Sequence, residues 1–117
     1  MLTLAATTRI FVYSGVTDLR KSFNGLSGIV SEHFDVDLLS GHLFLFFNRR
    51  RDCVKILLWD NDGLAIWYKR LEAGTFQLPE AQCDQHSSEI DRTQLTLLLS
   101  GIDLTSAKRR KRFQKVA

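Results

Sequence analysis

Three consecutive arginines, Arg49, Arg50 and Arg51, stand between two apolar runs, and Lys55, Lys69 and Arg70 lie close by in the sequence. Guanidinium groups bind phosphate oxygens in pairs of parallel hydrogen bonds, so this set is suited to a nucleic-acid backbone. Like charges on one turn repel, and fold stability alone does not explain them. Arg20 and Lys21 are expected in the first turn of a helix, where cations oppose the helix dipole, and they are counted with the same patch. Lys108, Arg109, Arg110, Lys111 and Arg112 form a basic tail over 108–117, expected to be flexible and to add non-specific affinity.

Other chemistry is thinly supported. Asp60 and Asp62 could hold a divalent ion, with Glu72, Glu89 and Asp91 as further carboxylates, in the manner of a metal-dependent nuclease. Asp60-Asn61-Asp62-Gly63 is also what a hairpin loop prefers, and a calcium loop would need Glu where Leu71 stands. The turn reading is therefore adopted. Cys83 and His86 have the spacing of half a zinc site, but no second pair answers them. No glycine-rich phosphate loop and no recognisable nucleophile is present. No catalytic residue, metal or cofactor is expected.

The elements that must position the arginines are legible. Leu43–Phe47, Val54–Trp59 and Leu64–Arg70 are apolar runs of strand length with breaks too short for a crossover helix. They predict an antiparallel meander in which Phe47 faces Val54, Leu45 faces Ile56, Leu57 faces Ile66 and Lys55 faces Tyr68. Gly63 is expected to supply the positive φ of the second loop. This register gathers Arg49–Arg51, Lys55, Lys69 and Arg70 at one tip of the sheet and sends Asp60 and Asp62 to the other. Both faces of the meander are apolar and need cover, from helices or from a second subunit.

Before the meander, residues 9–13 read as a strand. Thr17 or Asp18 is placed to cap a helix whose stripe is Leu19, Phe23, Leu26, Ile29, Val30 and Phe34. Gly25 and Gly28 either weaken that helix or let it approach the sheet. After it, Thr75–Leu78 is a candidate fourth strand and residues 80–89 read as a polar, mobile stretch. Asp91-Arg92-Thr93-Gln94 has the form of a capping box opening a second helix through Leu95, Leu98 and Leu99, with Gly101 near its end. The fold class is α+β, an antiparallel three- to four-stranded meander plus an N-terminal strand and two helices, forming one domain over 1–107.

The totals narrow the function. A chain of 117 residues can bury a real core, and its formal charge is +3. The basic tail holds six of the 16 Lys and Arg; the other ten meet 13 acids, so the body carries −3. Two cysteines make no disulfide framework, and there is no signal peptide or membrane-spanning run, so a bacterial cytoplasmic location is expected.

Taken together, Thr17–Lys21, Leu43–Asp52, Lys55–Asp60, Gly63, Trp67–Phe76 and Leu98–Ile102 closely resemble the TnpB-type accessory protein of the sixty-six family of bacterial insertion sequences. The resemblance covers residues 9–104. It implies a role in transposition beside a separately encoded transposase, with no known enzymatic activity and no catalytic residues to carry over. The expected function is a non-enzymatic accessory protein that binds DNA through the sheet tip and the tail. The alternative is a protein-interaction module that docks on the transposase or forms a homodimer through its apolar sheet face.

Overall fold

The strand Leu43–Phe47 consists of five apolar residues, all buried, so both faces around it must be shielded from water. The computed structural model describes residues 4–78 and 87–100, and in it this strand lies at the centre of a five-stranded sheet. Among the described residues the elements are, in chain order, β1 (Ile10–Val16), α1 (Phe23–His33), β2 (Leu43–Phe47), β3 (Cys53–Asp60), β4 (Gly63–Arg70), β5 (Ser87–Ile90) and α2 (Arg92–Ser100), with a 3-10 turn at Leu38–Ser40. The sheet order is β4-β3-β2-β1-β5. β1 and β2 are parallel, joined through α1, and the other neighbours are antiparallel.

The meander has the register read from its sequence. Phe47 faces Val54, Leu45 faces Ile56, Leu57 faces Ile66, Lys55 faces Tyr68 and Trp59 faces Leu64. The period-2 alternation of strands then splits the core in two. On one face Leu43, Leu45, Phe47, Val54 and Ile56 join Ile10, Val12 and Ile90, and Leu95 and Leu98 of α2 cover them. On the other, Phe44, Phe46 and Leu57 join Phe11, and Leu26 and Val30 of α1 cover them together with Leu19 and Phe34. Both sheet faces are thus closed within the chain, most completely over β1, β2 and β3. Along β4, Leu64, Ala65, Ile66 and Trp67 are only half-buried.

Several local expectations change. α1 begins at Phe23 behind Ser22, so Thr17 and Asp18 do not cap it, and Arg20 and Lys21 precede it in an Asp18–Lys21 turn closed by the Lys21 N–H on the Asp18 carbonyl at 3.0 Å. Phe23 points outward, at 43% exposure, while Leu19 fills the stripe from outside the helix. The positive φ of the β3–β4 turn belongs to Asn61 (55°), not Gly63, and the Asp62 N–H bonds to the Asp60 carbonyl at 2.5 Å as in a γ-turn. Thr75–Leu78 is not a strand: Phe76 donates its N–H to the Arg51 carbonyl and buries its ring against Phe47. The fifth strand is Ser87–Ile90, overlapping the end of the stretch read as mobile, and it pairs with β1. Its polar residues suit a sheet edge, and only Ile90 enters the core. Residues 79–86, with Cys83 and His86, Gly101 and the tail lie outside the described residues.

The capping box of α2 is complete. Asp91 Oδ1 accepts from the Gln94 N–H at 2.7 Å, and Gln94 Oε1 accepts from the Asp91 N–H at 2.9 Å. Neither glycine of α1 serves close approach to the sheet. A Cβ at Gly25 would meet the Lys21 stem at 3.0 Å, and a Cβ at Gly28 would meet nothing within 4 Å. Gly28 therefore only weakens the helix. Replacing it with Ala is expected to raise unfolding free energy by about 1 kcal/mol in urea titration.

Candidate nucleic-acid interface

The turn between β2 and β3 carries the three arginines on a backbone held from several sides. The Arg51 N–H bonds to the Asn48 carbonyl at 3.1 Å, and Asn48 Nδ2 donates to Asp52 Oδ1 at 2.6 Å while its Oδ1 accepts from the Cys53 N–H at 3.1 Å. From behind, the Leu71 and Phe76 N–H groups reach the Asp52 and Arg51 carbonyls, each at 2.7 Å. The Asn48 hydrogen bond and, more weakly, the charge of Arg50 hold the Asp52 carboxyl below its usual pKa. Asn48 and Asp52 are thus the struts of the turn, and their signal in the sequence is the pair of Asx residues bracketing the arginine run. Arg51 has φ of 57°, a left-handed conformation that a non-glycine residue adopts at a cost of about 1 kcal/mol.

All three arginines are exposed, and none makes an ion pair with another described residue. Nearby elements converge on the same end of the sheet. The Thr17 N–H bonds to the Phe47 carbonyl at 3.0 Å, which brings the Asp18–Lys21 turn beside the end of β2. Lys55 Nζ donates to the Lys21 carbonyl at 2.9 Å and lies 5.1 Å from the centre of the Tyr68 ring. Arg70 pairs across the ladder with Cys53. Arg49–Arg51, Arg20, Lys21, Lys55 and Arg70 are therefore gathered at one end, and the Asp60–Asp62 turn occupies the other.

The gathering is less uniform than the register alone implies. Strand alternation sends Lys69 to the opposite face from Lys55 and Arg70, where its Nζ donates to the Leu99 carbonyl at the end of α2, at 3.2 Å. A lysine at that place also complements the negative end of the helix. Arg20 is bound by Asp18 through Nε at 3.0 Å and Nη2 at 2.7 Å, and Arg70 by Glu72 at 3.4 Å. Asp18 and Glu72, as partners of these cations, are not evident from the sequence. Acids two positions from a turn arginine are the trace they leave. The guanidinium of Arg20 lowers the Asp18 pKa to about 2 by hydrogen bonding first and by charge second. α1 carries no acid in its first turn and no side-chain cap at Ser22, so its N-terminal end adds positive potential beside Lys21.

The carboxylates that the sequence offers as metal ligands are spread over the sheet: Glu72 contacts Arg70 at the basic end, and Asp60 and Asp62 lie at the other. Glu89 pairs with Arg9 at 2.6 Å on the far edge of the sheet, and Asp91 caps α2. Among the described residues no group of three or more His, Cys, Asp or Glu is placed to hold a metal ion. His33 ends α1 beside Tyr13, and His42 Nδ1 accepts from the Arg9 N–H at 2.9 Å. No helix among the described residues is long and apolar enough to cross a membrane.

Two measurements check this geometry. Arg51→Gly relieves the left-handed strain and should raise stability by about 1 kcal/mol in urea titration, while removing one of the exposed cations. The Asp18 carboxyl, followed by NMR, should titrate near pH 2, and Arg20→Ala should return it towards its ordinary value of 3.8. Because the folded pKa is the lower one, the Asp18–Arg20 pairing supports the fold above the unfolded carboxyl pKa and is lost as pH falls through about 2.

The family described as "IS66 Orf2 like protein" matches residues 8–109. Two uncharacterized proteins of Sinorhizobium fredii are similar over nearly their whole length. The protein y4hO is 35% identical over 103 residues, covering 88% of each chain, and y4jC is 32% identical over 111 residues, covering 93% of each. No solved structure matches. The match spans β1 through α2 and takes in the arginine turn and the loop that buttresses it, and on that evidence the chain belongs to the IS66 Orf2-like family of insertion-sequence proteins.

Proposed function

We infer that this protein is an accessory factor of insertion-sequence transposition that binds the element's DNA at the basic end of its sheet, with no enzymatic step of its own. Family membership supports the link to transposition. The observation that carries DNA binding is the arginine turn. Three exposed guanidiniums without ion-pair partners among the described residues stand on a backbone fixed by side-chain and main-chain hydrogen bonds. A fixed backbone reduces the ordering entropy that a flexible basic loop would lose on contact with phosphates. Retaining Arg rather than Gly at a left-handed position gives up stability for charge, which a solubilising role does not require.

In this reading Arg49, Arg50, Arg51 and Lys21 make the first phosphate contacts. Lys55 and Arg70 border them on the α1 face, and Arg20 contributes when DNA competes with Asp18. Lys69 acts chiefly as a partner of α2. The tail residues Lys108 to Arg112 add sequence-independent attraction. The separately encoded transposase carries out cleavage and strand transfer, and this protein works beside it in the cytoplasm.

The interaction-module reading rests on a different observation, the half-covered side chains of β4. A pull-down with the element's transposase distinguishes it, because the arginine turn is not needed there.

The test is binding to labelled duplex from the element's end and to a scrambled duplex across a salt series, with the full chain and with a truncation before Lys108. Changing Arg49, Arg50 and Arg51 together to Ala should weaken binding and make the slope of log K against log salt shallower by about 0.9 for each phosphate no longer neutralised. An unchanged slope would place the function elsewhere. Binding that disappears with the tail alone would reduce the sheet tip to a bystander.

A further inference from the structure

The two edges of the sheet differ in kind. β5 is a four-residue edge with two serines and a glutamate, and Glu89 is tied to Arg9 across the ladder. Short, polar, ion-paired edges resist pairing with another chain. β4 has none of these guards until its end. It runs eight residues, Gly-Leu-Ala-Ile-Trp-Tyr-Lys-Arg, without proline or a bulge in its pairing to β3, and among the described residues its outer side meets no other strand. Tyr68 is 55% exposed, and Leu64, Ile66 and Trp67 are only half-buried. An edge of this length, apolarity and regularity is a template for one more strand.

The charges flanking β4 favour a particular strand. Asp60 and Asp62 lie before its first residue, and Lys69 and Arg70 are its last. An antiparallel copy of the same strand inverts that polarity and can set Asp62 of each copy against Arg70 of the other, at both ends, which is the self-complementarity a two-fold contact needs. We propose that the protein forms a homodimer by antiparallel pairing of β4 with β4 of a second copy, centred on Ile66, which joins two five-stranded sheets into one. Opposed residues in an antiparallel pair share a face, so only residues separated by an even number can pair here. Two such registers keep nearly the whole strand paired. The one centred on Trp67 sets Leu64 against the partner's Arg70 and Ala65 against the partner's Lys69, placing cations on apolar side chains. The one centred on Ile66 sets Leu64 against the partner's Tyr68 and Asp62 against the partner's Arg70, and the two-fold axis repeats both pairings. This interface uses the sheet edge, not the sheet face, and does not depend on the DNA reading.

Sedimentation equilibrium of the full chain over a concentration series tests it, with circular dichroism to verify folding of each variant. The wild type should dimerise. Asp62→Arg and Arg70→Asp, each alone, oppose like charges at both ends of the interface and should weaken the dimer by about tenfold or more. The Asp62→Arg/Arg70→Asp double variant restores opposite charges and should recover the dimer, a rescue that a merely structural defect would not show. A wild-type chain that stays monomeric at every concentration overturns the proposal. So do single variants that dimerise as wild type, and a double variant as weak as the singles. The Arg49–Arg51 triple alanine variant should dimerise as wild type, so loss of DNA binding and loss of the dimer can be told apart.

Discussion

The constraint on which the structure depends is the burial of β2 on both faces. Five successive apolar side chains, three of them phenylalanine, leave no face for water. A strand of this kind belongs in the middle of a sheet with a layer on each side. β1 and β3 flank it, α1 closes the side of Phe44 and Phe46, and α2 closes the side of Leu43, Leu45 and Phe47. The positions of the helices follow, since neither could leave its face without exposing a ring or a branched side chain. The arginine turn is the outlet of this arrangement. It begins where β2 leaves the core, and the Phe47 ring with its partner Phe76 anchors the loop that braces it.

The electrostatics of the basic end are a matter of what neutralises what. Asp18, Asp52 and Glu72 are placed within the same end, yet each is matched to a particular partner: Arg20, the Asn48 amide and Arg70. The two ion pairs are exposed and contribute little to stability, whereas the Asn48–Asp52 hydrogen bond is partly buried; all three fix where side chains point. What remains uncompensated among the described residues is concentrated on the arginine turn, with the N-terminal end of α1 and Lys21 to one side. The body of the chain carries a net negative charge, so this concentration is local and not a reflection of the total.

The meander is legible in the sequence because strand-length apolar runs and short Asx-rich breaks agree with one another there. The capping box of α2 is legible for a similar reason, since Asp91 and Gln94 carry a local geometry that needs no tertiary context. β5 is not, because Ser87, Ser88 and Glu89 are polar edge residues whose strand conformation comes from pairing with β1 about eighty residues earlier. The start of α1 is misleading because Leu19 fits the helical stripe while lying in the preceding turn, and Arg20 and Lys21 go with it. The partners of the arginines are hidden for another reason: turn acids two residues away read as neutral filler until the backbone folds them onto a guanidinium. The opposite fates of Lys55 and Lys69 lie in the register itself, as residues of opposite faces.

The pairing of β1 with β5 has a consequence for the order of events during synthesis. The β2–β3–β4 meander pairs near neighbours in the chain, which close small loops and form early. β1 joins β2 in parallel only after α1 has been made, and its outer edge stays open until Ser87–Ile90 leaves the ribosome. α2 follows at once, and with it Leu95 and Leu98, which finish the second half of the core. Between completion of β4 and the arrival of β5 and α2, the nascent chain therefore holds an arginine-bearing hairpin on a half-covered sheet, and the segment from Ser87 to Ser100 is the one that seals it. A ribosome stalled before Ser87 would display that unsealed face to whatever chaperone or neighbouring chain is at hand.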